Sequence, residues 1–282
     1  MSLASIPSRF ADDLPDSTLK FYRGVLHTLD RAGSRFVLGG AYAFNHYTGV
    51  NRATRDLDLF IRREDFEQIS AALQQAGYDT ELTYPHWLGK IHSDGVYIDL
   101  IFSSGNGVAV VDELWFEYAD EAELLGVKAK ISPVEEMIWS KAFIMERERY
   151  DGADVAHLFL TCAGGMDWRR LLRRFDGHWR VLLSHLLLFG FIYPAHRNRI
   201  PAWVMDDLLQ RLRLEMRTAP SHEAVCQGTL LSREQYLSDI EVEGLQDGRL
   251  APFGNMTQED TESWTQAIPN REQAPEGGQS AH

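Results

Sequence analysis

Apolar positions recur at helical spacing along residues 16–33. Leu19, Tyr22, Leu26 and Leu29 share one face, Asp16 or Ser17 can cap the start, and Gly33 can end it. Arg35 to Gly40 (RFVLGG) reads as a short strand running into a double glycine, with a short helix over Ala41 to Tyr47 behind it. Residues 56–61 (DLDLFI) alternate polar and apolar, the period of a half-buried strand. Glu64 to Ala76 is amphipathic, with Phe66, Ile69 and Leu73 inward and Gly77 at its end. Strands follow near 79–83, 88–92 and 96–102, the last two joined through the turn signal Ser93-Asp94-Gly95. At Ser132-Pro133-Val134-Glu135 the texture changes to a capping serine, a proline at the first helical position and a glutamate at the third. Helices are predicted over 133–149, 153–163, 167–175, 178–191 and 201–218. These patterns divide the chain into a strand-rich first domain (1–130), a helical domain (131–220), an acidic extension (221–268) and a tail (269–282) with the composition of a disordered segment.

Composition narrows the class. Hydrophobic residues make up 44% and charged residues 24% of 282, which excludes fibrous and wholly disordered chains. Two cysteines cannot form a disulfide framework, so a reducing compartment is the natural home. The opening MSLASIPSRFADDLPDS lacks a charged-then-apolar signal pattern. The most apolar stretch, Val181 to Tyr193, falls short of the about 20 residues that span a bilayer. A cytoplasmic protein without a membrane partner is expected. The net charge of −13 is uneven: residues 131–220 carry 13 Lys/Arg against 11 Asp/Glu, and residues 221–282 carry 3 against 11. The arginines from Arg169 to Arg180 first describe an amphipathic helix. As a phosphate-facing strip they would serve an RNA partner.

The chemistry concentrates between Phe36 and Phe60. A strand ends in Gly39-Gly40, a basic loop carries Arg52, Thr54 and Arg55, and a strand then carries Asp56 and Asp58. Residues i and i+2 on a strand project to one face, so the two carboxylates point together and call for a cation. Asp99 lies in the centre of a later apolar strand, VYIDLIF. If that strand is a neighbour, three carboxylates converge, enough for two divalent ions, and oxygen-only ligands suit Mg²⁺. Gly39 and Gly40 would let the backbone approach phosphate at the N-terminus of the next helix. Each piece alone has a bland reading: a solvent face, a turn, a paired edge residue. Their order together points to a metal and nucleotide site.

This order resembles the nucleotidyltransferase superfamily with the polymerase-β-like fold, in which a Gly-Gly or Gly-Ser turn, a D-x-D strand and a third aspartate recur. The string Arg52 to Phe60 (RATRDLDLF) is similar to AbiEii-type and other small bacterial nucleotidyltransferases. The likeness covers about residues 30–165. Two departures are a gap of 15 residues between Gly40 and Asp56 and glycine in place of serine at the second motif position. The resemblance implies an α+β fold, a mixed sheet with flanking helices followed by a helical domain. It implies two Mg²⁺ ions on Asp56, Asp58 and Asp99, with Asp99 also helping to deprotonate the acceptor. Gly39, Gly40, Arg52, Thr54, Arg55, Lys141 and Asp154 would bind the nucleotide, with Arg147 nearby and Asp151 a rival of Asp154. The implied reaction moves NMP from an NTP to a hydroxyl of tRNA or other RNA, protein or a small molecule, releasing pyrophosphate. A toxin-type enzyme would add an antitoxin partner. The alternatives are a non-catalytic nucleotide- or partner-binding module that keeps the fold, and a helical interaction protein acting through 167–218.

Overall fold

The computed structural model describes residues 4–5, 14–50 and 56–268. The chain enters through β1 (Ala4–Ser5) and helix α1 (Asp16–Arg31), which buries Phe21, Tyr22, Val25, Leu26 and Leu29 along one stripe. Pro15, not Asp16 or Ser17, is its N-cap. Asp16 sits in the first turn, where its charge complements the helix dipole. Strand β2 (Val37–Leu38) runs into α2 (Gly40–Thr48), which ends on left-handed Gly49. Then come β3 (Leu57–Phe60), α3 (Phe66–Gln75), β4 (Asp79–Tyr84), β5 (Leu88–Ser93), β6 (Val96–Ile101) and the short α4 (Glu113–Glu117). A hairpin of β7 (Asp120–Leu124) and β8 (Val127–Ile131) completes one eight-stranded sheet in the order β1-β7-β8-β2-β3-β6-β5-β4. The sheet is mixed, with β3 parallel to β6 and antiparallel to β2. Leu57, Leu59, Ile98, Leu100 and Ile91 are fully buried on one sheet face. The alternating residues Asp58, Asp99 and Lys90 therefore share the other.

Helices α5 (Val134–Ala142), α6 (Gly152–Cys162), α7 (Trp168–Phe175), α8 (Trp179–Ile192) and α9 (Ala202–Glu215) follow. The helix predicted to reach 149 stops at Ala142. Beyond Phe143 the chain doubles back through a bridge between Met145 and Tyr150, and the Asp151 amide donates to the Ile144 carbonyl. The Ser132 signal also resolves differently: Pro133 is the N-cap of α5, and Glu135 and Glu136 are buried. The chain then forms β9 (Val225–Cys226), α10 (Leu237–Glu241), β10 (Gln246–Asp247) and α11 (Gln258–Gln266). This region packs back on the sheet: the Asn106 side chain donates to the Leu230 carbonyl at 2.6 Å and that of Asn255 to the Gly107 carbonyl at 3.2 Å. The expected disordered tail, 269–282, lies outside the described residues. Among the described residues, no helix is long and apolar enough to cross a membrane.

Two arginines of the basic strip point inward, against the reading of an RNA-facing surface. Arg170 is 4% exposed, pairs with Glu135, and stands 3.2 Å from Glu136. Arg174 reaches Glu136 at 2.9 Å and Asp112, the N-cap of α4, at 2.6 Å. Buried charges persist only when paired, so this network fixes α5 to α7 and ties both to the start of α4. Arg170→Ala leaves Glu135 and Glu136 buried with one cation fewer. It is expected to cost about 3–5 kcal/mol, read as a lower midpoint in urea unfolding.

Candidate active site

The register of two parallel strands makes the site. Asp58 on β3 lies directly opposite Asp99 on β6, and Lys90 on β5 lies opposite Asp99 in turn. The row alternates in charge, and the Lys90 ammonium donates to Asp99 Oδ1 at 2.6 Å. Asp56 stands just before β3 rather than within it, yet close enough for its charge to act on both carboxylates. Burial pushes the Asp58 carboxyl up to about 6. The charges of Asp99 and Asp56 add to the rise, and Lys141 opposes it. Asp99 is raised by burial, with Lys90 drawing it back. Among the described residues, no group of three or more His, Cys, Asp or Glu stands arranged to hold a metal ion, and Asp99 already has Lys90.

The space beside β3 confines positions 39 and 40 to glycine. A Cβ on Gly40, whose φ is +52°, would lie 1.6 Å from Asp58 Oδ2. One on Gly39 would lie 2.1 Å from the Phe60 ring. The glycines thus make room for the carboxylate and its neighbour on β3, and they bring the start of α2 against Asp58.

Lys141, at the end of α5, is held by Asp151 at 3.0 Å and by Asp154 at 2.9 Å, so both aspartates orient it. Burial would raise Asp151, but Arg149 and Lys141 hold it below the usual carboxylate range. Arg149, itself exposed, makes this contact at 3.0 Å, and Arg147 is exposed as well. Sequence spacing missed Arg149 because the predicted helix through 149 hid the doubling back. Arg52, Thr54 and Arg55 lie outside the described residues.

Gly40, Asp58, Asp99, Lys141, Arg149 and Asp151 line one cavity of about 370 Å³. Its far side is formed by Trp87 and Ser103 and by Leu230, Arg233 and Trp264 of the C-terminal region. That wall had no signal in the sequence beyond a lone tryptophan in an acidic stretch.

A carboxylate pair on adjoining central strands, a glycine turn against it and a lysine from a following helix are the elements that the resemblance to nucleotidyltransferases implies. Residues 22–122, from α1 into β7, match the family model described as aminoglycoside-2''-adenylyltransferase. Among solved structures the chain is similar to the antibiotic-resistance factor ANT(2'')-Ia, at 17% identity and a TM-score of 0.43, covering 61% of this chain and 98% of that one. ANT(2'')-Ia has also been solved with adenylyl-2''-tobramycin. An antigenic nucleotidyltransferase-like protein from Paracoccidioides brasiliensis shows 18% identity and a TM-score of 0.43, covering 66% and 93%. The lincosamide antibiotic adenylyltransferase LnuA, bound to lincomycin, shows 17% and 0.36, covering 51% and 96%. No match is found among the curated proteins.

Because the folded state holds Asp58 at a higher pKa than the unfolded chain, it binds more protons between about pH 4 and pH 6. Its contribution therefore favours the fold at low pH and is lost as pH rises through that window. Relative to Asp58→Asn, the unliganded wild type is expected to lose stability across it, as read by urea unfolding at each pH. Parallel profiles for the two proteins would show an ordinary carboxyl.

Proposed function

We propose that the chain transfers a nucleoside monophosphate from an NTP to a hydroxyl of a small-molecule acceptor and releases pyrophosphate. The observation that carries this reading is the in-register pair Asp58 and Asp99 sharing one cavity with Lys141. The residues fit a divalent cation. Their donors are hard carboxylate oxygens, and Asp58 and Asp99 lie opposite one another in register with Asp56 close by. Asp56, Asp58 and Asp99 would hold the metal, with Mg²⁺ the ion we propose and two ions in keeping with the resemblance. When bound, it would polarise the α-phosphate and neutralise the leaving pyrophosphate.

The chain's own residues divide the remaining work. Lys141 and Arg149 draw the triphosphate to the helical side of Asp58, where the start of α2 adds its positive end. Asp151 and Asp154 keep Lys141 extended toward it. Asp99 accepts the proton of the acceptor hydroxyl. The acceptor oxygen then bonds to the α-phosphorus as the bond to the bridging oxygen of the β-phosphate breaks, and the electron pair leaves with pyrophosphate. Lys90, bonded to Asp99 at 2.6 Å, opposes the rise that burial imposes on its carboxyl.

A small acceptor is favoured over RNA or protein because the C-terminal region walls the cavity beside Asp99. The family model matched by the first domain is that of an enzyme class acting on small molecules. The inward-facing Arg170 and Arg174 remove part of the strip that an RNA would have used. A toxin role and an antitoxin partner draw no support from these features. One observation favours the second reading, a nucleotide-binding module without turnover: Lys90 already occupies Asp99.

The test is transfer of label from [α-³²P]ATP with Mg²⁺ to a panel of hydroxylated small molecules, total RNA and cell protein. Calorimetric binding of a non-hydrolysable ATP analogue runs beside it. Wild type is expected to label a small molecule. Asp58→Ala should lower the rate by about 10³-fold or more while the fold persists. Analogue binding without transfer to any acceptor would establish the module, and label on RNA or protein would overturn the acceptor class.

A further inference from the structure

The cavity has two unlike halves. On the helical side of Asp58 stand the cations Lys141 and Arg149. Beyond Asp99 it is lined by Trp87, at the start of β5, Ser103, after β6, and Trp264, on α11. Trp87 comes from the strand-rich region, just before β5, and Trp264 from α11. Their centroids lie 5.1 Å apart with planes at 71°, which makes a right-angled aromatic corner. Tyr84 backs it, stacked on Trp87 at 5.8 Å, and Arg233 caps Trp264 at 4.0 Å.

Two polar groups of this half have no partner. Ser103 is 3% exposed, and its hydroxyl makes no hydrogen bond. The Trp87 Nε1–H is buried and equally unmatched. Buried donors are rarely left unpaired unless a ligand or water completes them. The corner is held firmly. Arg249, 1% exposed, clasps Asp247 through Nη2 at 2.6 Å and donates to Thr265, next to Trp264, at 3.2 Å. A Cβ on Gly105 would touch the Trp264 ring at 2.7 Å, so the loop after β6 is trimmed to receive it.

The charges here are spent on one another. Asp99 is paired with Lys90 at 2.6 Å, Asp151 with Lys141 and Arg149 at 3.0 Å, and Glu146 lies 3.7 Å from Arg233. A polycation would meet no surplus of carboxylate in this half, whereas the face of a ring would meet two indoles.

We infer that Trp87, Ser103 and Trp264 form the acceptor subsite, and that it takes a low-charge hydroxylated molecule carrying an apolar ring rather than a polycation. The inference rests on the nucleotidyl-transfer reading for which half holds the nucleotide. The ring lies in the indole corner. Its polar edge accepts from Trp87 Nε1–H and pairs with the Ser103 hydroxyl, and this directs a neighbouring hydroxyl to Asp99.

The experiment is calorimetry on the full chain saturated with Mg²⁺ and a non-hydrolysable ATP analogue. One titrant is 4-nitrophenyl β-glucoside, a neutral ring-bearing polyol; the other is tobramycin, a polycation. The glucoside is expected to bind at least about tenfold more tightly than tobramycin, to weaken by about tenfold or more in Trp264→Ala, and to stay within about twofold in Trp264→Phe. Analogue affinity should be unchanged in Trp264→Ala, whose fold is checked by its melting temperature. Tighter binding of tobramycin, absence of glucoside binding, or equal glucoside binding by Trp264→Ala would each overturn the subsite. Loss of analogue affinity in Trp264→Ala would give the corner to the nucleobase and overturn it too. Failure of the wild type to bind the analogue, with glucoside binding intact, would sink the transfer reading and leave the ring subsite standing.

Discussion

Two carboxylates set opposite one another on adjoining central strands are the constraint around which the structure is arranged. Neither can move without breaking register, because a shift of one residue would turn Asp58 and Asp99 into the face that holds Leu57, Leu59, Ile98 and Leu100. Their repulsion must therefore be managed by neighbours. Lys90 answers Asp99 from the next strand, and Lys141 answers Asp58 from across the cavity. Gly40 is glycine because any side chain there would stand in the Asp58 carboxylate. On the proposed reading, this gathering of negative charge is what would attract a divalent cation, which would link the strand register to the chemistry.

The helical region depends on a second gathering of charge. Arg170 and Arg174 reach into the interior to meet Glu135, Glu136 and Asp112, so the first turn of α5 is anchored by ion pairs. That anchoring sets where α5 begins. The doubling back after Ala142 then brings Arg149 and Asp151 to Lys141. The orientation of Lys141 is thus inherited from a buried network on the far side of its helix.

Much of this was legible in the residues. Alternation in DLDLFI and VYIDLIF located β3 and β6 and put their carboxylates on strands. Helical spacing found α1, α3 and the run from α7 to α9. The hairpin β7–β8 was not legible, because DEAEL and VKAKI carry charge on one face and little bulk on the other, and its turn uses Leu125 at a positive φ of 54°. Ser132 gave a capping signal that the chain spends otherwise. Helix propensity continued past 142, but the ion pairs of Arg149 and Asp151 with Lys141 outweigh the few tenths of a kcal/mol per residue that propensity supplies.

The C-terminal wall of the cavity was the least legible part. Its tryptophan packs on Trp87 from far along the chain, its buried Arg249 is held by Asp247 and Thr265, and its short strands pair only with each other, so no periodicity announces them. Asn106 to Leu230 and Asn255 to Gly107 bind the extension to the loop that follows the third aspartate. The family match ends at residue 122, within β7, and the wall lies wholly beyond it. The cavity is therefore shared between the matched segment, which supplies Asp58, Asp99, Trp87 and Ser103, and the chain beyond it, which supplies Lys141, Arg149 and Trp264.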